Sequence, residues 1–186
     1  MKTKTIFKTA FMACAILLIN SCASIPKNAK PVDNFDANRY LGTWYEIARF
    51  DFRFEKNLDN TSAQYQLDKN GNVIVLNSGY NFVKEKWSKA DGLAKFRGDK
   101  TVAALKVSFF GPFYSGYNVV ALDENYQYAL IAGKDLDYLW ILSRSKSIPE
   151  DIKTKYLKIA EEIGYDTSKL IWVKHDKTDN PYLNEN

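Results

Sequence analysis

Residues 61–82 read Thr-Ser-Ala-Gln-Tyr-Gln-Leu-Asp-Lys-Asn-Gly-Asn-Val-Ile-Val-Leu-Asn-Ser-Gly-Tyr-Asn-Phe, and this stretch decides the architecture. From Thr61 to Leu67 the side chains alternate, with Ala63, Tyr65 and Leu67 on one face and Ser62, Gln64 and Gln66 on the other. That is the period of a strand with one buried face. Lys69-Asn70-Gly71-Asn72 interrupts the run, and Asn-Gly suits the positive φ angles of a type I′ hairpin. Val73 to Phe82 then resumes in branched and aromatic residues. Outward from this hairpin the pattern repeats. Thr43 to Phe50 precedes it; Lys86 to Phe96, Thr101 to Phe110, Tyr114 to Leu122, Tyr126 to Gly133 and Tyr138 to Arg144 follow. Eight short strands with short links predict an all-β antiparallel meander. Closing it into an up-and-down β-barrel removes the edges that a sandwich would leave.

One helix interrupts the strands. Ser147 reads as its N-cap with Glu150 as capping-box partner, and Glu150 and Asp151 suit the positive end of the helix dipole. Ile152, Tyr156, Ile159, Ala160 and Ile163 form one apolar face, and Gly164 can end the helix. This face is expected to pack on the outside of the barrel. A last short strand, Leu170 to Val173, can add to the wall, and residues 176–186 form a polar tail.

The chain has 186 residues, 46% hydrophobic and 26% charged, with 12 Tyr, 11 Phe and 4 Trp but one histidine and two cysteines. Such richness in rings argues for one domain with a real core and against disorder. The scarcity of Cys and His leaves no disulfide scaffold and no metal site of the zinc type, and no cofactor is implied. The formal charge of +4 suggests nucleic acid only until the start of the chain is read. Lys2, Lys4 and Lys8 precede an apolar run from Ala10 to Ile19, too short for a membrane span, and then Asn20-Ser21-Cys22. This is a secretory signal over residues 1–21, and its removal lowers the charge to +1, so nucleic acid loses its support. Leu18-Ile19-Asn20-Ser21-Cys22 resembles a bacterial lipobox, which implies that Cys22 becomes the acylated N-terminus. Several acyl chains anchor firmly, at about 0.8 kcal/mol per buried methylene. Residues 22–34, with two prolines and little apolar content, read as the lipidated start and a tether, leaving 35–175 as barrel plus helix.

Two further stretches carry a resemblance. Asn34-Phe35-Asp36-Ala37-Asn38-Arg39-Tyr40-Leu41-Gly42-Thr43-Trp44-Tyr45-Glu46 resembles the first lipocalin motif, a helical turn followed by Gly-x-Trp. Trp140-Ile141-Leu142-Ser143-Arg144 resembles the third, and Leu122-Asp123-Glu124-Asn125-Tyr126 matches the second only at Asp123. With the lipobox, the chain is similar to the bacterial outer-membrane lipoprotein lipocalins, akin to apolipoprotein D. That implies an outer-membrane location, since Ala23 is not the aspartate that retains many lipoproteins at the inner membrane, and the periplasmic side is preferred. It also makes Gly42, Trp44, Asp123 and Arg144 structural rather than ligand-binding. Strand alternation agrees: it brings Trp44 and Arg144 together at the closed end, where a cation–π contact contributes about 0.5–2 kcal/mol.

At the opposite end lie four loops, Asp51 to Asn60, Asn81 to Glu85, Gly111 to Phe113 and Lys134 to Asp137. Their aromatics, Phe52, Phe54 and Phe113 among them, either form a lip or contact surface or fold back as a plug. Strand parity offers Tyr65, Asn77, Phe109, Tyr117, Val119, Tyr128 and Trp140 as ligand-binding candidates, each of which could equally be filler. An eight-stranded barrel holds one small ligand or packed side chains. The resemblance implies fatty acids or lysophospholipids, with a headgroup near Arg53, Lys56 or Lys84. The lone histidine, His175, lies in the tail, and the sequence has no nucleophile elbow or phosphate loop, so a non-catalytic carrier leads. A lipid-anchored partner-binding barrel with a plugged interior is the alternative, and pairing of two barrels as a homodimer stays open.

Overall fold

Asp36 starts the barrel by capping a four-residue helix, α1 (Ala37–Tyr40), through its side chain and the N–H of Asn38. The chain then enters β1 (Gly42–Phe50), which is followed by β2 (Leu58–Leu67), β3 (Val73–Asn81), β4 (Lys86–Phe96), β5 (Ala104–Phe110), β6 (Phe113–Leu122), β7 (Tyr128–Ala132) and β8 (Leu139–Ser143). Every sequential pair is antiparallel, and β8 and β2 both pair with β1, so the sheet closes on itself. This computed structural model describes residues 24–183. The signal segment and Cys22 lie outside the described residues.

Turn chemistry at the first hairpin differs from the Asn-Gly expectation. Only Gly71 takes a positive φ, 75°, whereas a type I′ turn would need Asn70 there as well. The turn is closed by Asp68, whose N–H donates to Asn72 O and whose carbonyl accepts from Gly71 N. Its carboxylate accepts from the Asn72 side-chain amide and from the N–H groups of Asn72 and Asn70, at 2.8 Å each, and these bonds, the amide first, hold it below the usual carboxylate range. A type I turn followed by a left-handed glycine fits the twist of the strands equally well.

The main helix, α2 (Glu150–Ile163), has Pro149 at its N-cap and no side-chain cap bond. Ser147 is therefore not the cap; its carbonyl accepts from the hydroxyls of Ser143 and Ser145. Gly164, with φ 115°, ends the helix by donating to Ala160 and Glu161. Tyr156, Ala160 and Ile163 are buried against Leu130, Ala132, Leu139 and Ile141 on the outer wall. Tyr156 Oη fixes the seat by donating to Tyr128 O at 2.8 Å. A ninth strand, β9 (Leu170–Trp172), pairs with the far end of β1 from Ala48 to Phe50.

The two terminal stretches also pack on the wall. Val32 N donates to Val119 O, and Ala103 N to Val32 O. Asn118 Nδ2 reaches Ser24 O at 2.9 Å. Gly116 permits this approach, since a Cβ there would stand 2.0 Å from Ser24 O. Gly116→Ala is therefore expected to lift residues 24–28 from the wall while the barrel persists. Hydrogen exchange at Ala29 and Val32 should quicken on substitution; unchanged protection would contradict this seating. At the other end, His175 Nε2 donates to Glu46 O at 2.8 Å, and Asn180 Nδ2 donates to Ser78 Oγ at 2.9 Å.

Candidate functional site

Inside the barrel lies a cavity of about 690 Å³, open at the β1–β2, β3–β4, β5–β6 and β7–β8 end. Its floor is a hydroxyl trio: Tyr117 Oη bonds Tyr40 Oη at 2.8 Å and Tyr65 Oη at 3.0 Å. Burial pushes all three phenols up, so they stay neutral and serve as polar points without charge. Above them Val75, Ala94, Leu105, Val107 and Phe109 make an apolar belt. Trp140 lines the upper wall, flanked by Tyr138 and covered edge-on by Phe52 at 5.4 Å.

A charged shelf interrupts this wall, and strand parity does not reveal it. Arg49, 2% exposed, donates from Nη1 to Glu46 Oε1 at 2.9 Å and from Nη2 to the carbonyls of Glu55 and Leu58. Thr61 Oγ1 donates to Glu46 Oε1, and Trp140 Nε1 to Glu55 Oε2 at 3.2 Å. Residues 46 and 49, an odd number apart, would lie on opposite faces of a regular strand. A register shift between Glu46 and Ala48 puts them on the same side. Burial pushes both carboxyls up. The guanidinium offsets this for Glu46, which it bonds directly, whereas the charge of Glu46 drives Glu55 further up. One guanidinium facing two buried carboxyls thus disfavours ionising both at once.

Of the candidates read from the strands, Tyr65, Asn77, Phe109, Tyr117 and Trp140 line the cavity. Asn77 Oδ1 is buried and has no donor among the described residues. Val119 faces inward but is fully buried in the closed-end core, away from the cavity surface. Tyr128 faces outward, packed with the helix-side cluster: the inward positions of β7 are Ala129 and Ile131. The expected parity fails because Tyr126 is a turn residue with φ 58°, not part of the strand. Arg53, Lys56 and Lys84 do not line the cavity; Lys134 does, at the mouth, whereas Lys89 shares the outward face of its partner Ser78 and pairs with Asp91 at 3.2 Å. The mouth aromatics divide, with Phe52 folded in against Tyr138 and Trp140 and Phe54 and Phe113 left exposed.

At the closed end Arg144 lies 3.9 Å above the Trp44 ring and donates to the carbonyls of Thr43, Arg39 and Tyr126. Trp44 is fully buried, with Nε1 donating to Tyr40 O at 2.9 Å. Asp123 organises the β6–β7 turn by accepting from the N–H groups of Asn125, Gln127 and Tyr128. All of these bonds close the barrel, and none faces the cavity. Among the described residues no group of His, Cys, Asp or Glu is placed to hold a metal ion.

A Lipocalin-like domain matches residues 35–175. The chain is 56% identical over 162 residues to the outer membrane lipoprotein Blc of Citrobacter freundii, covering 86% of this chain and 92% of that one. Against Blc of Escherichia coli K12 the identity is 52%, over 87% of this chain and 93% of its relative. Bovine apolipoprotein D is 38% identical over 68% of this chain and 69% of its own. The solved structure of insecticyanin from the tobacco hornworm superposes with a TM-score of 0.63 at 24% identity, covering 78% of this chain and 84% of that one, which bears on the fold alone. Lipocalins are generally binding proteins rather than enzymes. The closed eight-stranded barrel, the Trp44–Arg144 lock and these matches together establish that the chain belongs to the lipocalin family.

Proposed function

We propose that this lipocalin is a non-catalytic lipid-binding lipoprotein, anchored in the outer membrane through acylated Cys22 and facing the periplasm. Its barrel stores or carries fatty acids or lysophospholipids in the cell envelope. The observation that carries the reading is an open apolar cavity of about 690 Å³ in a chain 56% identical to an outer membrane lipoprotein. That volume lies within the range of about 300–1,000 Å³ typical of small-molecule sites. An acyl chain of about 16 carbons would gain on the order of 10 kcal/mol gross along the belt, less ordering costs. A carboxylate or phosphate headgroup is best held at the mouth near Lys134, whose Nζ lies 5.6 Å from the cavity-lining Tyr138 ring. A ligand hydroxyl, such as that of a lysophospholipid glycerol, would satisfy Asn77 Oδ1.

Palmitate or lysophospholipid should quench Trp140 fluorescence saturably, with a dissociation constant in the micromolar range or below. An unchanged spectrum over that range would sink the reading. Ala90 lines the cavity on β4, where an indole would occupy ligand space. Ala90→Trp is expected to weaken palmitate binding at least about tenfold, or 1.4 kcal/mol, measured by calorimetry. Cys22→Ser should abolish acylation; a variant that still partitions with membranes after full processing would contradict the anchor.

A further inference from the structure

The direction in which the N-terminal stretch leaves the barrel bears on how the cavity meets the membrane. From Val32, bonded to Ala103 and Val119 near the closed end, the chain climbs the outer wall. Asn28 Nδ2 donates to Ile163 O at the end of α2 beside the mouth loop, since Leu136 of that loop lies against Gly164. At Ser24 the backbone is held by Asn118, which also donates to Ala132 O and Gly133 O where β7 ends at the mouth. Ser24 lies over Gly116, three residues from Phe113 at the rim, or about 10 Å of strand. The closed-end turn at Asp123 is seven residues away in the other direction, or about 24 Å. Cys22 precedes Ser24 by two residues, a reach of at most about 7 Å. Acyl chains on Cys22 therefore attach on the mouth half of the barrel and cannot attach at the closed end.

The rim is built for the same surface. Among the described residues, every large hydrophobic side chain more than half exposed lies there: Phe54 at 63%, Phe82 at 51%, Val83 and Phe110 at 65%, and Phe113 at 79%. Three loops contribute, and Phe54 and Phe110 approach to 5.9 Å across the opening. Exposed Arg53, Lys56, Lys84 and Lys86 stand among them, against the acidic Asp51 and Glu85. Apolar tips interleaved with cations suit the headgroup–acyl boundary of an anionic bilayer.

We propose that the open mouth docks onto the lipid surface that holds the Cys22 acyl chains, so that the cavity exchanges lipid directly with that leaflet. The proposal rests on acylation at Cys22. The chain has only two cysteines, Cys14 in the signal and Cys22, whose thiol acylation consumes. A single introduced cysteine can therefore be spin-labelled in the acylated full protein reconstituted in vesicles of phosphatidylethanolamine and phosphatidylglycerol. At Val83→Cys, collisions with a water-soluble nickel chelate should fall at least about threefold relative to the same variant released from the membrane, while oxygen collisions rise. At Asn125→Cys, in the closed-end turn, both should stay aqueous. Phe113→Cys repeats the test at a second rim site should Val83→Cys fold poorly. A rim label that stays aqueous, or a shielded closed end, overturns docking. Dipolar broadening between rim labels of two copies also overturns it, by showing a second barrel on the rim. Palmitate titration of the same vesicles reports on the cavity separately, so docking can fail while lipid binding stands. Protein that washes off the vesicles overturns anchor and docking together.

Discussion

Arg49→Met is expected to destabilise the fold by about 3–5 kcal/mol near pH 8, because it leaves Glu46 and Glu55 buried without their shared cation. The loss is also local, since Arg49 Nη2 bonds the carbonyls of Glu55 and Leu58 and so ties the β1–β2 loop across the mouth. The pH dependence follows from the direction of the shifts. Both carboxyls have folded pKa values raised by burial, so their contribution to stability is full below the unfolded value of about 4.5 and is lost as pH rises through the folded values. Removing the guanidinium raises them further. The deficit of Arg49→Met should accordingly shrink toward pH 4.5 and grow toward pH 8. Adding Glu46→Gln and Glu55→Gln should recover most of the loss at pH 8. Urea denaturation at the two pH values measures this, and a deficit independent of pH would show that packing, not charge, holds the shelf.

Arg144→Ala is expected to cost about 3 kcal/mol, summing a cation–π contact and three carbonyls that lose their donor. For a domain of this size that is a fall in Tm of roughly 6–12 °C. Arg144→Lys should recover little of it, because an ammonium cannot cover the Trp44 face and fork to Thr43, Arg39 and Tyr126 together. Thermal unfolding followed by circular dichroism gives the answer, and near-equal stability of the lysine variant would contradict the fork. Palmitate affinity of the folded variant should change little, because Arg144 does not line the cavity.

Features that depend on one strand and its turn are legible in the sequence. The alternation of Ala63 with Tyr65 points both inward, and β4 begins at Lys86 and ends at Phe96, as its apolar pattern indicates. Asn77, Phe109, Tyr117 and Trp140 reach the cavity by the same rule. Features that depend on a break in the period are not legible. The register shift after Glu46 aligns Glu46 with Arg49, and nothing in Glu-Ile-Ala-Arg announces it. The left-handed Tyr126 removes itself from β7 and turns Tyr128 toward the helix. Hairpin closure by Asp68 was hidden behind the stronger Asn-Gly signal next to it. The seating of residues 24–34 rests on Asn118 and Gly116, more than 80 residues away, which local composition cannot show.

Mass spectrometry of organic extracts from protein purified out of its own membrane without detergent tests lipid carriage most directly. The cavity geometry predicts a co-purifying fatty acid or lysophospholipid near one per barrel, reduced in Ala90→Trp. Protein that emerges empty, and that also fails to take up added palmitate or lysophospholipid, would contradict a lipid-carrying barrel.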